Sequence, residues 1–147
     1  MISKILICID GTDCAQRALE FGLDLAGKYS ASVKILNVLE TPIFGTPENP
    51  LANSAGMAGF VKDLRKVHEE MLIRAAEEGA SLHSGLKIST ELKEGNPPEQ
   101  IVATAAEGNF DVVVVGHGSN SRIREFFLGG TSERVAHLAR SAVFIVK

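Results

Sequence analysis

Residues 111–119 read Asp-Val-Val-Val-Val-Gly-His-Gly-Ser, and this stretch indicates the fold. Four consecutive valines without polar alternation are typical of a parallel strand that is buried on both faces. A loop with two glycines and a serine follows the valines at once. Glycines let a backbone approach a ligand closely, and hydroxyl residues add hydrogen-bond donors. The stretch therefore predicts a central strand that ends in a binding loop.

Other short segments of the chain are apolar in the same way. Unbroken runs predict buried strands at residues 4–9, 33–38, 111–115 and 142–146. Residues 87–93 alternate in polarity, which predicts an edge strand with one wet face. Between the runs, apolar residues recur at helical spacing, so strands and helices alternate along the chain.

Four helices are predicted from this spacing. The first covers residues 13–29, where Asp13 and Gln16 resemble a capping box, and Phe60 to Ala75 mark a longer second helix. The third begins after Asn96, a capping residue followed by proline, and runs to about Glu107. The fourth covers residues 131–139. The side chains expected to point inward are Ala15, Ala18, Leu19, Gly22, Leu25, Ala26 and Tyr29 in the first helix, and Val135, Leu138 and Ala139 in the fourth.

The alternation β-α-β-α-β-α-β-α-β predicts a three-layer α/β/α domain with right-handed crossovers. The predicted sheet has five parallel strands in order 3-2-1-4-5, a variant of the flavodoxin-like order. Residues 41–59 form the one long connection, which is either a lid or an excursion.

Ligands of open α/β sheets bind beyond the carboxyl ends of the strands, where the strand order reverses. Two loops are expected to meet there: residues 10–12, after the first strand, and residues 116–119, after the fourth. Residues 129–132, Gly-Gly-Thr-Ser, stand at the start of the fourth helix, where free N–H groups and the helix dipole favour an anion. The alternative is that these glycines only form tight turns.

Charge and composition argue against several classes of function. The chain has 147 residues, enough for one domain, and a net charge of −3, which argues against a general nucleic-acid binder. Residues 116–147 carry five Lys or Arg against two Glu, a net +3 that suits a small anion. No apolar run is long enough to span a membrane, no signal peptide is recognisable, and two cysteines are too few for a disulfide framework. We expect a cytoplasmic protein.

Several isolated reactive residues have more than one possible role. His117 contacts a phosphate or is an exposed loop residue, and Arg122 and Arg124 clamp a triphosphate or are simply solvated. His68, His83 and His137 show no metal-ligand spacing, so no metal site is expected. Cys8 is expected in the core, while Cys14 is structural or a redox sensor. Neither a Walker motif nor a nucleophile elbow occurs in the sequence, and nothing indicates a dedicated catalyst.

In order and spacing the whole chain resembles the universal stress protein family. The resemblance rests on Asp10 after the first strand, Asn37-Val38-Leu39, Glu94-Gly95-Asn96-Pro97, and the ending from Val112 to Lys147. It implies a fold similar to that of the adenine nucleotide alpha hydrolases. Nucleotide-binding members carry Gly-x2-Gly-x9-Gly-(Ser/Thr) after the fourth strand. Here Gly116 and Gly129 match, whereas Ser119 stands for the second glycine, with Gly118 one residue early, and Gly130 stands for the hydroxyl residue.

The resemblance implies an adenine nucleotide, ATP or a relative with Mg²⁺ as a companion ion, between the first and fourth strands. Asp10 and Val38 would lie at the nucleoside end, with the main chain near Val38 against adenine. The residues that would border ribose and phosphates are Gly116, Gly118, Ser119, Gly129, Gly130, Thr131 and Ser132.

Three functions are compatible with these residues. The first is a small stress-response or regulatory protein that binds an adenine nucleotide. The second is a dimeric interaction module of the same fold that binds no nucleotide, and the third is a slow ATP hydrolase, supported by fold analogy alone. A homodimer is expected through Ala142–Val146, because this apolar strand is the last element and would leave an unpaired edge. The resembled family commonly pairs this edge.

Overall fold

The computed structural model describes residues 1–40, 55–118 and 130–147. Ser119, Gly129, Arg122, Arg124 and most of the long connection at residues 41–59 lie outside the described residues. In chain order the elements are β1 (Lys4–Cys8), α1 (Asp13–Tyr29), β2 (Ser32–Leu39), α2 (Ala55–Leu82), β3 (Ile88–Glu94), α3 (Pro97–Glu107), β4 (Val112–Gly116), α4 (Thr131–Leu138) and β5 (Ala142–Val146).

The five strands form one parallel sheet in the order β3-β2-β1-β4-β5. The predicted fold class and strand order are therefore confirmed. β1 lies at the centre, between β2 and β4, and its residues alternate between the two faces of the sheet. Ile5 and Ile7 face one helical layer, and Leu6 and Cys8 face the other. All four side chains are buried, which explains why the strand is an unbroken apolar run.

Each face of the sheet has its own core. α1 and α2 cover one face, where Leu19, Leu23 and Leu72 pack against the strands. α3 and α4 cover the other face through Ile101 and Val135. No helix among the described residues is long and apolar enough to cross a membrane.

The sequence placed one helix cap at the wrong residue. α1 is capped by Thr12, whose hydroxyl accepts a hydrogen bond from the Ala15 N–H at 3.2 Å, so the prediction of an Asp13–Gln16 capping box is wrong. Asp13 is instead the first helical residue, where a carboxylate interacts favourably with the dipole. The Asn96 cap of α3 is confirmed, since its side chain accepts from the Glu99 N–H.

Two side chains expected in the core are exposed. Tyr29 is 51% exposed and Leu138 is 49% exposed. Each is the last residue of its helix. Leu23 instead fills the core beneath α1. The predicted long connection was also too long, because residues 55–59 already belong to α2.

Asp111 fixes the register between β1 and β4 at the end of the sheet remote from the predicted binding loops. One carboxylate oxygen, Oδ2, accepts hydrogen bonds from the N–H groups of Ser3 and Lys4 and from the Ser3 hydroxyl, at 2.8–2.9 Å. These bonds hold the pKa of Asp111 below its usual value, because they stabilise the charged form. The register that follows pairs Ile7 with Val114, so both strands end at the same edge.

Two leucines of α2 provide a direct test of this core. Leu72 is 4% exposed, whereas Leu82 on the same helix is 58% exposed. We expect Leu72→Ala to lower the free energy of unfolding by about 2–5 kcal/mol, because it leaves a cavity. Leu82→Ala should change it by no more than about 0.5 kcal/mol. Urea denaturation measures both, and equal losses in the two variants would contradict the packing of α2.

Candidate functional site

A cleft lies at the carboxyl ends of β1 and β4, where the strand order reverses. β1 pairs with β2 on one side and with β4 on the other, so the connections after β1 and β4 diverge there. The volume of the cleft is about 740 Å³, within the usual range for sites that hold small molecules and cofactors. Its walls come from the ends of β1, β2 and β4 and from all four helices.

The cleft brings together the described members of the predicted nucleotide site. The residues that line it are Asp10, Val38, Gly116, Gly118, Gly130, Thr131 and Ser132. The two remaining members, Ser119 and Gly129, fall in the part of the chain that the structure does not describe. The sequence thus predicted residues that share one cleft, and their role in ligand binding stays a prediction.

The turn after β1 is organised by Asp10. Its Oδ1 accepts hydrogen bonds from the Thr12 N–H at 2.9 Å and the Thr12 hydroxyl at 2.6 Å. Thr12 in turn caps α1, so one carboxylate oxygen fixes both the turn and the helix start. Gly11 has a φ of +82°, a conformation that glycine adopts without strain. The other Asp10 oxygen has no hydrogen-bond partner among the described residues.

Gly116 is required by the packing of β4 against α1. A Cβ atom at this position would lie 2.7–2.8 Å from the backbone of Cys14 and Ala15 in α1. Only glycine therefore allows the end of β4 to lie so close to the first turn of α1. Gly116 also lines the cleft, and its role in ligand binding stays a prediction.

Gly118 has a different role from Gly116. Its φ is +81°, and a Cβ there would meet no atom within 4 Å, so backbone conformation and not crowding favours glycine. The preceding residue, His117, is half-buried and lines the cleft, and its N–H donates to the Val146 carbonyl of β5 at 2.7 Å. The loop therefore leaves the sheet at a defined place and turns sharply at an open position.

α4 presents an uncapped N-terminus to the cleft. Gly130 is the N-cap residue, and it provides no side-chain hydrogen bond to the first turn. The N–H groups of Thr131 and Ser132 have no acceptor among the described residues, as expected for the first turn of a helix. The Ser132 side chain is buried and its hydroxyl donates to the His117 carbonyl at 3.4 Å, which ties α4 to the end of β4.

Charge is distributed unevenly along the cleft. Arg134 and the N-terminal end of the α4 dipole lie on the side of β4. Asp10 follows β1 and Glu40 follows β2, and both residues line the cleft away from α4. Because like charges repel, an anionic group is favoured at the α4 end and disfavoured near Asp10 and Glu40.

Asn37 and His68 form a polar pair that the sequence analysis missed. Asn37 is 1% exposed, in the middle of an apolar strand. Its amide Nδ2 donates to the Ile9 carbonyl at 2.9 Å and contacts the Met71 sulfur at 3.2 Å. Its Oδ1 lies 2.6 Å from Nδ1 of His68, which lines the cleft from α2. An asparagine between apolar residues of a predicted buried strand was the available signal, since a buried amide needs partners.

The Ile9 carbonyl determines which His68 nitrogen carries the proton. A carbonyl oxygen only accepts hydrogen bonds, so the Asn37 amide must turn its Nδ2 toward Ile9 and its Oδ1 toward His68. His68 Nδ1 must then donate to Oδ1. Neutral His68 therefore carries its proton on Nδ1, and its Nε2 is a hydrogen-bond acceptor. Nε2 has no partner among the residues that the structure describes.

The cysteines and the other histidines offer no metal centre in the described part of the chain. Within residues 1–40, 55–118 and 130–147, no group of three or more His, Cys, Asp or Glu could hold a metal ion. Cys8 is buried in the core, as predicted, and it also lines the cleft. Burial raises the pKa of its thiol far above the usual value. Cys14 is half-buried, with Arg17 Nη2 3.0 Å from its sulfur.

Comparisons with known proteins agree with this architecture. The model of the universal stress protein family matches residues 1–147. A universal stress protein of Methanothermobacter thermautotrophicus is 31% identical over 150 residues, which cover 100% of this chain and 97% of the relative. The chain therefore belongs to the universal stress protein family, as its motifs indicated.

Solved structures show the same fold. UspA from Lactobacillus plantarum superposes with a TM-score of 0.81 at 22% identity, covering 99% of this chain and 97% of that one. A universal stress protein from Archaeoglobus fulgidus, solved in complex with dAMP, has a TM-score of 0.65 at 20% identity and covers 100% of this chain and 98% of that one. At this level of identity the likeness extends to the fold.

Proposed function

We propose that this protein is a cytoplasmic stress-response regulator that binds an adenine nucleotide, ATP or a relative, in the cleft between β1 and β4. The observation that carries the proposal is the uncapped start of α4, whose free N–H groups and dipole face a cleft of suitable volume. Binding would act through a change of conformation or partner, since the described residues include no recognisable set of catalytic groups.

The charge distribution supports one orientation of the nucleotide. The phosphates would lie at the α4 end, near Gly118, Thr131 and Arg134, where N–H groups and a guanidinium donate to anionic oxygen. The nucleoside would lie toward Asp10, whose second carboxylate oxygen can accept from a sugar hydroxyl. The Archaeoglobus fulgidus relative in complex with dAMP supports an adenine nucleotide as the ligand.

Mg²⁺ would enter this site with the nucleotide. Because the described residues offer no cluster of three metal-binding side chains, the ion would depend mainly on phosphate oxygens and water. In this arrangement Mg²⁺ accompanies ATP and does not bind the protein alone.

Gly130 provides the sharpest test of nucleotide binding, because family members that bind nucleotide carry Ser or Thr at this position. It adopts an extended conformation that any residue tolerates, and a Cβ there would meet no atom within 4 Å. Gly130→Ser adds a hydroxyl at the start of α4, so we expect the affinity for ATP to rise about two- to tenfold. Titration calorimetry with ATP and Mg²⁺ measures the change.

Gly130→Ala is the matched control for this experiment. It adds the same Cβ without the hydroxyl, so its affinity for ATP should remain close to that of the wild type. An equal gain in both variants would assign the effect to backbone stiffening. If none of the three proteins binds ATP at millimolar concentration, the cleft is not a nucleotide site and the interaction-module function replaces it.

We also propose a homodimer formed through β5. This strand pairs only with β4 within the described chain, and Phe144 and Ile145 are 39% and 36% exposed. Phe21 of α1 lies beside Phe144, with ring centroids 5.3 Å apart, and enlarges the apolar surface. An exposed apolar edge of this kind is an aggregation hazard unless another chain covers it.

Ile145 is the residue to change in a test of the dimer. The N–H of Ala142 and the carbonyl of Val146 bond toward β4, so the backbone of the intervening residues 143 and 145 faces outward. Val143 packs against the core, whereas Ile145 is more accessible. We expect wild type at twice 15.7 kDa by light scattering and Ile145→Lys at 15.7 kDa.

Ile73→Lys is the matched control, because Ile73 is 56% exposed on α2. That helix packs against β2 and β3, at the other end of the sheet from β5. This variant should keep the dimer mass. A monomeric wild type, or a dimer that survives Ile145→Lys, would contradict the proposed interface.

A further inference from the structure

We propose that the two copies of β5 pair antiparallel with Phe144 on the two-fold axis, and that Phe21 of α1 completes the interface. The Phe21 and Phe144 rings of both protomers would then form one cluster of four aromatic side chains. The inference rests on the proposed homodimer, and it adds the register of the two strands and a contribution from α1.

The symmetry of a closed dimer decides the direction in which the two strands run. Two parallel copies of β5 related by a two-fold axis would lie level, with each residue opposite its own copy. A parallel ladder does not pair in this way: Ala142 lies opposite Val112 of β4 but donates to the Asp111 carbonyl. In an antiparallel pair, by contrast, the residues that exchange hydrogen bonds lie directly opposite each other. Two-fold symmetry therefore favours antiparallel strands.

The outward backbone groups of β5 decide the register. The N–H and C=O groups of Val143 and Ile145 face away from β4, as the hydrogen bonds at both ends of β5 require. When Val143 lies opposite the partner's Ile145, the two residues exchange both of their hydrogen bonds. All five residues of β5 are then paired, and Phe144 lies opposite its own copy.

Shifted registers bring residues from outside β5 against the apolar strand. Centring the pair on Ile145 places Lys147 opposite the partner's Val143, although the Lys147 carbonyl already accepts from Arg17 Nε at 2.9 Å. Centring the pair on Val143 instead places Ser141 opposite the partner's Ile145. The full overlap avoids both arrangements, so it is the register that the strand itself favours.

An aromatic surface lies at the centre of this register. Phe21 and Phe144 are each 39% exposed, and their ring centroids are 5.3 Å apart on the α1 face of the sheet. The two-fold axis of an antiparallel strand pair stands perpendicular to the sheet, so this face is continuous across the dimer and both ring pairs meet at the axis. Large buried rings dominate interface energetics, and ring pairs add to the burial. The four rings therefore fix where the two strands meet.

Disulfide cross-linking reads the register directly. The Cα atoms of a non-hydrogen-bonded antiparallel pair lie about 4.5 Å apart, within the range of a disulfide. Phe144→Cys should therefore link most of the chains in pairs when oxidised glutathione is added. Ile145→Cys is the matched control: its own copy is two residues further along the partner strand, about 8 Å away and too far for a disulfide. Non-reducing gels measure the linked fraction, with the wild type as the baseline for half-buried Cys14.

Phe21→Ala tests the contribution of α1. Each dimer loses two rings from the cluster, so the dissociation constant of the dimer should rise about two- to tenfold, measured by sedimentation equilibrium. Phe60→Ala is the matched control, because Phe60 is 53% exposed on α2, which packs at the other end of the sheet. It should leave the dissociation constant unchanged, and equal effects of the two variants would contradict a role for α1. Thermal melts check that all variants are folded.

The outcomes separate the register from the homodimer itself. Linking by Ile145→Cys and not by Phe144→Cys would overturn the register, as would a dimer that neither cysteine links. In both cases a dimer mass that Ile145→Lys abolishes leaves the proposed homodimer intact. A monomeric wild type removes the homodimer, and this inference fails with it.

Discussion

The hydrogen bond from the Asn37 amide to the Ile9 carbonyl is the contact on which the architecture of the cleft depends. β1 ends at Cys8, so the Ile9 carbonyl lies at the margin of the sheet beside buried Asn37. A buried polar group without a partner costs about 1–3 kcal/mol, which the Asn37 side chain avoids. The same amide holds Met71 and His68 of α2, so one buried residue joins the central strand, its neighbour and the helix above them.

The two sides of the cleft are built by different means and favour different chemical groups. On the β4 side, Gly116 lets α1 approach and Ser132 ties α4 to the strand end, so that unpaired N–H groups face the cleft. On the β2 side, the lining consists of apolar side chains, the His68 imidazole and the Glu40 carboxylate. A ligand with an anionic tail and an aromatic head matches this division, and a nucleotide has both parts.

The sequence predicted the fold well because the decisive signals were local. Strands buried on both faces are unbroken apolar runs, so the valines at 112–115 and the residues around Ile7 were recognisable without any tertiary information. The errors lie at helix ends, where the apolar spacing continues but the side chains are not buried. Tyr29 and Leu138 continue the helical spacing, but the helices end at these residues and both side chains are exposed.

The site was only partly predictable, because much of it depends on contacts between distant residues. Glycine loops and the start of α4 are visible as motifs, and the described residues that they predicted line one cleft. Spacing along the chain gave no sign that His68 pairs with Asn37, which lies 31 residues away on another element. The reason for Gly116 was equally hidden, since the backbone that excludes a side chain there belongs to α1.

The central claim is that the start of α4 binds the phosphate of a nucleotide whose nucleoside lies toward Asp10 and Val38. The most direct measurement is the ¹H–¹⁵N spectrum of the protein during parallel titrations with AMP and with adenosine. The account predicts that AMP alone shifts the amide resonances of Gly118, Thr131 and Ser132, while both ligands shift resonances around Asp10 and Val38. Shifts from AMP that avoid the start of α4, or that adenosine reproduces there in full, would contradict it.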